Sequence, residues 1–270
     1  MGVQPISVPQ KLASVLNAAG NRSGVDFGYL LQTAIRESSL NPEARASTSS
    51  AVGLFQFLEG TWLHVMKTDG PRLGYQAYAD QIEVTPSGDY VIRDRESRQR
   101  ILDLRMNPQI AADLAAAFTR GNGEYLQSAF GRMPSPGELY IAHFLGAQGA
   151  EKMFRAGLQN PDTVAVSLFP RQAQANRAIF YDSGGNPRSI KQVYQVLTTK
   201  HEGGATAGFS VQQLAGQGAG GQAKEAAPVM PSRFSRDDMS FTGLFLNEPL
   251  LEKDASEGGG SAFFTQLYNQ

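Results

Sequence analysis

The sequence predicts an all-α domain over residues 1–200, followed by a flexible, low-complexity tail over 201–270. Three observations carry this. Apolar residues recur at the 3, 4 and 7 spacing of one helix face in most segments up to Lys200. Proline and glycine fall between those segments, where helices start and stop. After Lys200 the chain turns to Gly, Ala and Gln, with little apolar surface to pack.

The elements follow in order. Residues 1–8, with Pro5 inside them and Pro9 just after, read as a short arm. Leu12, Val15, Leu16 and Ala19 form the first helical stripe, and Gly20 stops it. Asp26 caps a second helix with Phe27, Leu30, Leu31, Ala34 and Ile35 on one face, ended by the Asn41-Pro42 step because a residue before proline disfavours the helical region. A polar stretch over 46–50 leads to the apolar run Val52-Gly53-Leu54-Phe55-Gln56-Phe57. Thr61 begins a short helix through Trp62, Leu63 and Met66. Residues 67–95 lack a clear period and read as an irregular insertion with one small hairpin near Ser87-Gly88. Helical patterning returns over 98–120, with a break or cap near Asn107-Pro108. Ser135-Pro136 opens a helix carrying Leu139, Tyr140, His143 and Phe144, which closes near Gly146. Further helices fit 147–157, 170–180 and 187–198.

Composition excludes several classes. Lys and Arg total 24 against 25 acids, a formal net charge of −1, so no single-sign field points to nucleic acid as the partner. Cysteine is absent, which removes disulfides, thiolate metal sites and a Cys nucleophile. His64, His143 and His201 show no metal-ligand spacing, so neither metal nor cofactor is expected. The stretch Gly216-Gln217-Gly218-Ala219-Gly220-Gly221 matches a dinucleotide-binding pattern only formally, since no strand precedes it. No run of about 18 apolar residues predicts a membrane span, and the first residues lack the basic start and apolar core of a secretory signal.

The informative segment is Ile35-Arg36-Glu37-Ser38-Ser39-Leu40-Asn41-Pro42, followed by Ser47-Thr48-Ser49-Ser50-Ala51-Val52-Gly53-Leu54-Phe55-Gln56-Phe57. With Phe27 at zero on a helical wheel, the apolar stripe runs from about 300° through about 80°, and Glu37 falls near 280°. A carboxyl at that edge is partly desolvated and sits at the negative end of the helix dipole. Both effects favour the protonated form, which a general acid needs near neutral pH. Gly53 would let backbone approach a bound molecule closely, and the Gln56 amide could both donate and accept beside Phe55 and Phe57. Ser38 and Ser47 are candidates to bond Glu37 or substrate.

These motifs resemble the signature of SLT-type lytic transglycosylases, which share a lysozyme-like fold with goose-type lysozymes. That signature is a Glu-Ser pair ending a buried helix, a nearby Asn-Pro, and Ser-x-x-Gly-Ala-x-Gly-Leu-Met-Gln. Here Phe55 stands for the Met, Ser50 for the first of those glycines, and the spacer is one residue longer. Tyr140-Ile141-Ala142-His143-Phe144-Leu145-Gly146 stands where the family carries Ala-Tyr-Asn-Ala-Gly, and it departs from that pattern. The resemblance covers residues 10–150. It implies a lysozyme-like helical domain acting on peptidoglycan glycan strands in the periplasm or cell envelope.

In the implied mechanism Glu37 protonates the leaving oxygen of the MurNAc–GlcNAc bond and then accepts the proton of the MurNAc C6 hydroxyl, which closes onto C1 as a 1,6-anhydro end. Water in place of that hydroxyl gives hydrolysis, as in a phage- or goose-type muramidase. No acid lies between Glu43 and Glu59, which favours one carboxylate, although Asp69, Asp80, Glu83 or Asp89 of the insertion could supply a second. The implied substrate-binding set is Ser38, Ser47, Gly53, Leu54, Phe55, Gln56, Phe57, Tyr140, His143 and Phe144. A third reading is a non-catalytic wall-binding or assembly protein whose tail engages an envelope-spanning assembly.

Overall fold

The computed structural model describes residues 8–47 and 49–202 of the 270-residue chain. The expected arm, except Val8, and nearly all of the expected tail lie outside them. The described residues are mainly helical, as the periodicity predicts.

The first helix, α1 (Gln10–Ser23), runs past Gly20 and ends on Gly24 in the left-handed region, at φ 69°. Gly20 is there for packing: a Cβ on it would lie 2.6 Å from the Val25 carbonyl oxygen. Asp26 caps α2 (Phe27–Ser38) by accepting from the Tyr29 amide at 2.9 Å, a bond of the kind worth about 1 kcal/mol. This helix stops before Asn41-Pro42, because Ser39 and Leu40 both turn left-handed, at φ 52° and 66°. The apolar run 52–57 is a tight turn, with antiparallel bridges joining Val52 to Phe57 and Arg45 to Val52.

Beyond it, α3 (Glu59–Asp69) buries Trp62, whose indole nitrogen donates to the Ile101 carbonyl at 2.8 Å. The insertion is more ordered than its sequence suggests. It holds a 3-10 turn (Pro71–Leu73), the short α4 (Gln76–Ala79), and a hairpin pairing β1 (Glu83–Val84) with β2 (Tyr90–Val91), around the expected Ser87-Gly88. Then come α5 (Arg95–Asp103), a 3-10 turn (Leu104–Met106) and α6 (Pro108–Phe130), with Asn107 capping α6 through the amides of Gln109 and Ile110. The patterning breaks at Asn107-Pro108, as expected, but α6 continues ten residues beyond Arg120 through two glycines.

A capping box at Ser135 and Glu138 starts α7 (Pro136–Leu145), and α8 (Ala147–Gln159) follows. The helix expected over 170–180 is broken: α9 (Ala165–Leu168), α10 (Pro170–Ala175) and α11 (Arg177–Phe180) are separated by Phe169 and by the buried Asn176. The last element is α12 (Ile190–Glu202).

Two apolar cores organise these helices. One gathers α1, α2, the 54–57 turn, α3 and the alanine face of α6. The other gathers α7, α8, the short helices and α12. Small side chains on α6, including Ala112, Ala115 and Ala116, let α1 pack closely along it. Buried Asp113 ties α1 and the insertion to α6, accepting from Arg22, from the Tyr75 hydroxyl at 2.5 Å and from Gln109 at 3.2 Å. Helices α6 and α7 span the seam: Leu139 faces the first core, while Leu126 and Tyr140 face the second.

Candidate active site

Glu37 is the penultimate residue of α2 and is 8% exposed. Its surroundings come from three helices. From α2 itself, Tyr29 and Thr33 precede it by two turns and one turn, and both are buried. The Thr33 hydroxyl donates to the Tyr29 carbonyl at 2.8 Å. From α6, Thr119 bonds the Tyr29 side chain, and Phe118 meets the His143 ring edge-on at 6.0 Å. From α7, Tyr140 is fully buried, and the Arg36 guanidinium lies over its ring at 4.2 Å. His143 stacks on Tyr140, with centroids 6.1 Å apart and planes 21° apart.

These groups act on one another electrically. Burial, and secondarily the charge on Glu37, push the Tyr140 hydroxyl well above the ordinary phenol range, while Arg36 pulls it back. Burial also raises Tyr29; hydrogen bonds from Thr33 and Thr119 oppose it, and Glu37 adds a smaller upward push. The structure therefore brings Glu37 and two members of the α7 motif, Tyr140 and His143, into one buried polar cluster. Tyr29, Arg36 and Thr119 belong to that cluster and were not singled out from sequence. Tyr29, Thr33 and Glu37 do share a face at i, i+4, i+8, a legible pattern of polar groups inside an apolar helix.

The 50–57 turn has a different role from the one its residues suggest. Leu54, Phe55 and Phe57, expected along the path of a sugar, are core side chains at 0%, 0% and 1% exposure, because the turn folds inward beneath Trp62. Phe144 is likewise turned into the second core, against Phe180. The Gln56 amide is spent internally, donating to the carbonyls of Gly53 at 2.9 Å and Ala44 at 3.2 Å, with its backbone at φ 48°. The Ser38 hydroxyl reaches the carbonyls of Ala34 and Leu54, each at 3.0 Å, and so ties the end of α2 to the turn. Ser47 is exposed.

Gly53 is required by close approach of backbone: at φ 86°, a Cβ on it would sit 2.1 Å from the Arg105 carbonyl oxygen. Gly53→Ala is expected to lower stability by at least about 2 kcal/mol. Urea unfolding measures this, and an unchanged midpoint would remove the packing account.

The insertion's carboxylates are engaged locally. Asp69 pairs with Arg72, Asp80 accepts from Gln76, Glu83 pairs with Arg93, and Asp89 accepts from Ser87. Among the described residues no cluster of His, Asp and Glu is suited to a metal ion, and no helix is long and apolar enough to cross a membrane.

Glu37 is thus a buried carboxyl at a helix end, coupled electrically to one phenol of its own helix, Tyr29, and to one from α7, Tyr140. Residues 14–84, which include α2, Glu37 and the turn, match the family model of the transglycosylase SLT domain. Over that segment, about a quarter of its length, the chain is similar to transglycosylase SLT domains.

Proposed function

We propose that the protein is a lytic transglycosylase cleaving the MurNAc–GlcNAc β-1,4 bond, with Glu37 as its single catalytic acid/base. The observation that carries this reading is the burial of Glu37 at the end of α2, inside the segment matched to the SLT domain. A buried carboxyl holds its proton more tightly than one in water, because charge is costly where water is excluded. Glu37 then donates that proton to the glycosidic oxygen as the C1–O bond breaks. The resulting carboxylate takes the proton of the MurNAc C6 hydroxyl, whose oxygen bonds C1. The products are a 1,6-anhydro end and a free GlcNAc 4-hydroxyl. Local engagement of Asp69, Asp80, Glu83 and Asp89 supports a scheme with one carboxylate.

In this reading Tyr29, Arg36, Tyr140 and His143 set the environment of Glu37, while exposed Ser47 lies at the end of the motif loop that a glycan strand would meet. The periplasmic side of the envelope, where such strands lie, is the proposed place of action. Mass spectrometry of sacculi digested by the protein tests the chemistry directly. Anhydro-muramyl ends are expected; reducing ends would replace this reading with a hydrolytic muramidase, and undigested sacculi would leave a non-catalytic wall protein.

A further inference from the structure

We propose that Arg105 is a positioning residue for Glu37, acting through the 50–57 turn and Ser38; this rests on Glu37 being the catalytic acid. Arg105 lies in the 3-10 turn between α5 and α6, far from Glu37 in sequence, and it is 7% exposed. Its Nε donates to the Leu102 carbonyl at 2.9 Å. Its Nη1 donates to two carbonyls of the motif turn, Ser50 at 2.7 Å and Phe57 at 3.1 Å. Its own carbonyl presses on Gly53 at a separation no side chain could share. One residue therefore grips both ends of the turn and seats its middle.

The turn passes that constraint onward. Gly53 donates to the Ala44 carbonyl at 2.8 Å, and Val52 and Phe57 exchange hydrogen bonds at 3.2 and 3.1 Å. The Leu54 carbonyl then receives the Ser38 hydroxyl, on the residue after Glu37, where α2 gives way to two left-handed residues. Backbone bonds to the Ala34 and Ile35 carbonyls close that terminus, and the Ser38 hydroxyl adds the tether to the turn.

Burial draws Arg105 down to about 10, which still leaves it charged at neutral pH. A buried guanidinium satisfied by backbone carbonyls alone is costly to keep. Only a planar fork reaches three carbonyls from one side chain, and an ammonium could not reproduce that span. The design fits a clamp.

The test uses the full-length protein on solubilised peptidoglycan, with turnover followed across pH. Activity needing a protonated acid falls as pH rises through that acid's pKa, giving an alkaline limb. The groups coupled to Glu37 there are Tyr29 from α2 and Tyr140 from α7, both of which also feel Arg36, with His143 behind Tyr140. Loosening the turn lets water reach Glu37 and favours its charged form, so the limb moves to lower pH.

Arg105→Lys is expected to cut kcat roughly tenfold to a hundredfold with a small change in KM, and to shift the limb down by about half a unit or more. Ser38→Ala should shift it the same way, and the double variant should lose less than the two losses combined. Leu197→Ala, in the second core, is the destabilised control and leaves the limb in place. If Arg105→Lys does not fold, Ser38→Ala alone carries the test. A limb unmoved in the folded variants, or strict additivity, overturns the clamp while Glu37 keeps its role. Activity surviving Glu37→Gln would instead overturn the acid assignment, and the clamp's catalytic role with it.

Discussion

Glu37→Gln is expected to fold like the parent and to lose at least about a hundredfold in sacculus digestion, the usual cost of removing a general acid/base. The amide matches the carboxyl in shape, so the packing against Tyr140 and Tyr29 is retained and near-native circular dichroism should accompany the loss. Retained folding matters for interpretation. Among the described residues the insertion's carboxylates are bonded to local partners on exposed surfaces, so none stands ready to replace the missing acid. Turnover above about a tenth of the parent rate would show that the proton comes from elsewhere. The measurement is dye release or turbidity loss from purified sacculi, read beside a melting curve.

Glu138→Ala is expected to have the largest effect on stability, about 3–5 kcal/mol, because it breaks a buried pair and leaves a cation without its partner. Glu138 is fully buried. It receives both terminal nitrogens of Arg132, at 2.9 and 2.8 Å, and the Ser135 amide at 2.7 Å, with the Tyr194 hydroxyl of α12 at 3.4 Å. The same carboxylate therefore caps α7, neutralises Arg132 and faces the last helix. For a domain of this size the loss corresponds to a melting temperature lower by roughly 10 °C. Glu138→Gln, which retains the shape and some hydrogen bonding, should lose less. A shift below about 3 °C for Glu138→Ala would mean that the pair contributes little beyond its own desolvation.

Much of the helical plan was legible because it depends on local signals. Asp26, Asn107 and Ser135 announce helix starts with side chains that bond backbone amides a few residues ahead, and all three do so. Starts of this kind are written within four residues. Stops were harder. Gly20 reads as a terminator yet lies inside α1, since its missing side chain serves a contact with Val25 rather than a turn. Two left-handed residues other than glycine end α2, the exposed Ser39 and the buried Leu40, held by backbone hydrogen bonds to the Ile35 and Ala34 carbonyls. The long α6 runs past its apolar pattern through Gly121, which faces open space, and the buried Gly123.

The site was legible in part for the same reason. Glu37 lay at the edge of an apolar stripe, and the structure buries it. The turn after it is less legible, because an apolar run containing glycine and glutamine suggests both a binding loop and a buried knot, and periodicity cannot separate the two. What decides between them is Arg105, which enters from a distant segment whose own sequence, Leu-Arg-Met, advertises nothing. The pairing of Arg36 with Tyr140 is of the same kind: contacts between segments about a hundred residues apart leave no local mark.

The seam between the two cores passes beside Glu37. That carboxyl takes one phenol neighbour from each side, Tyr29 from the first core and Tyr140 from the second. The two halves of the described residues are therefore fastened together at the proposed acid itself, and not at some distance from it.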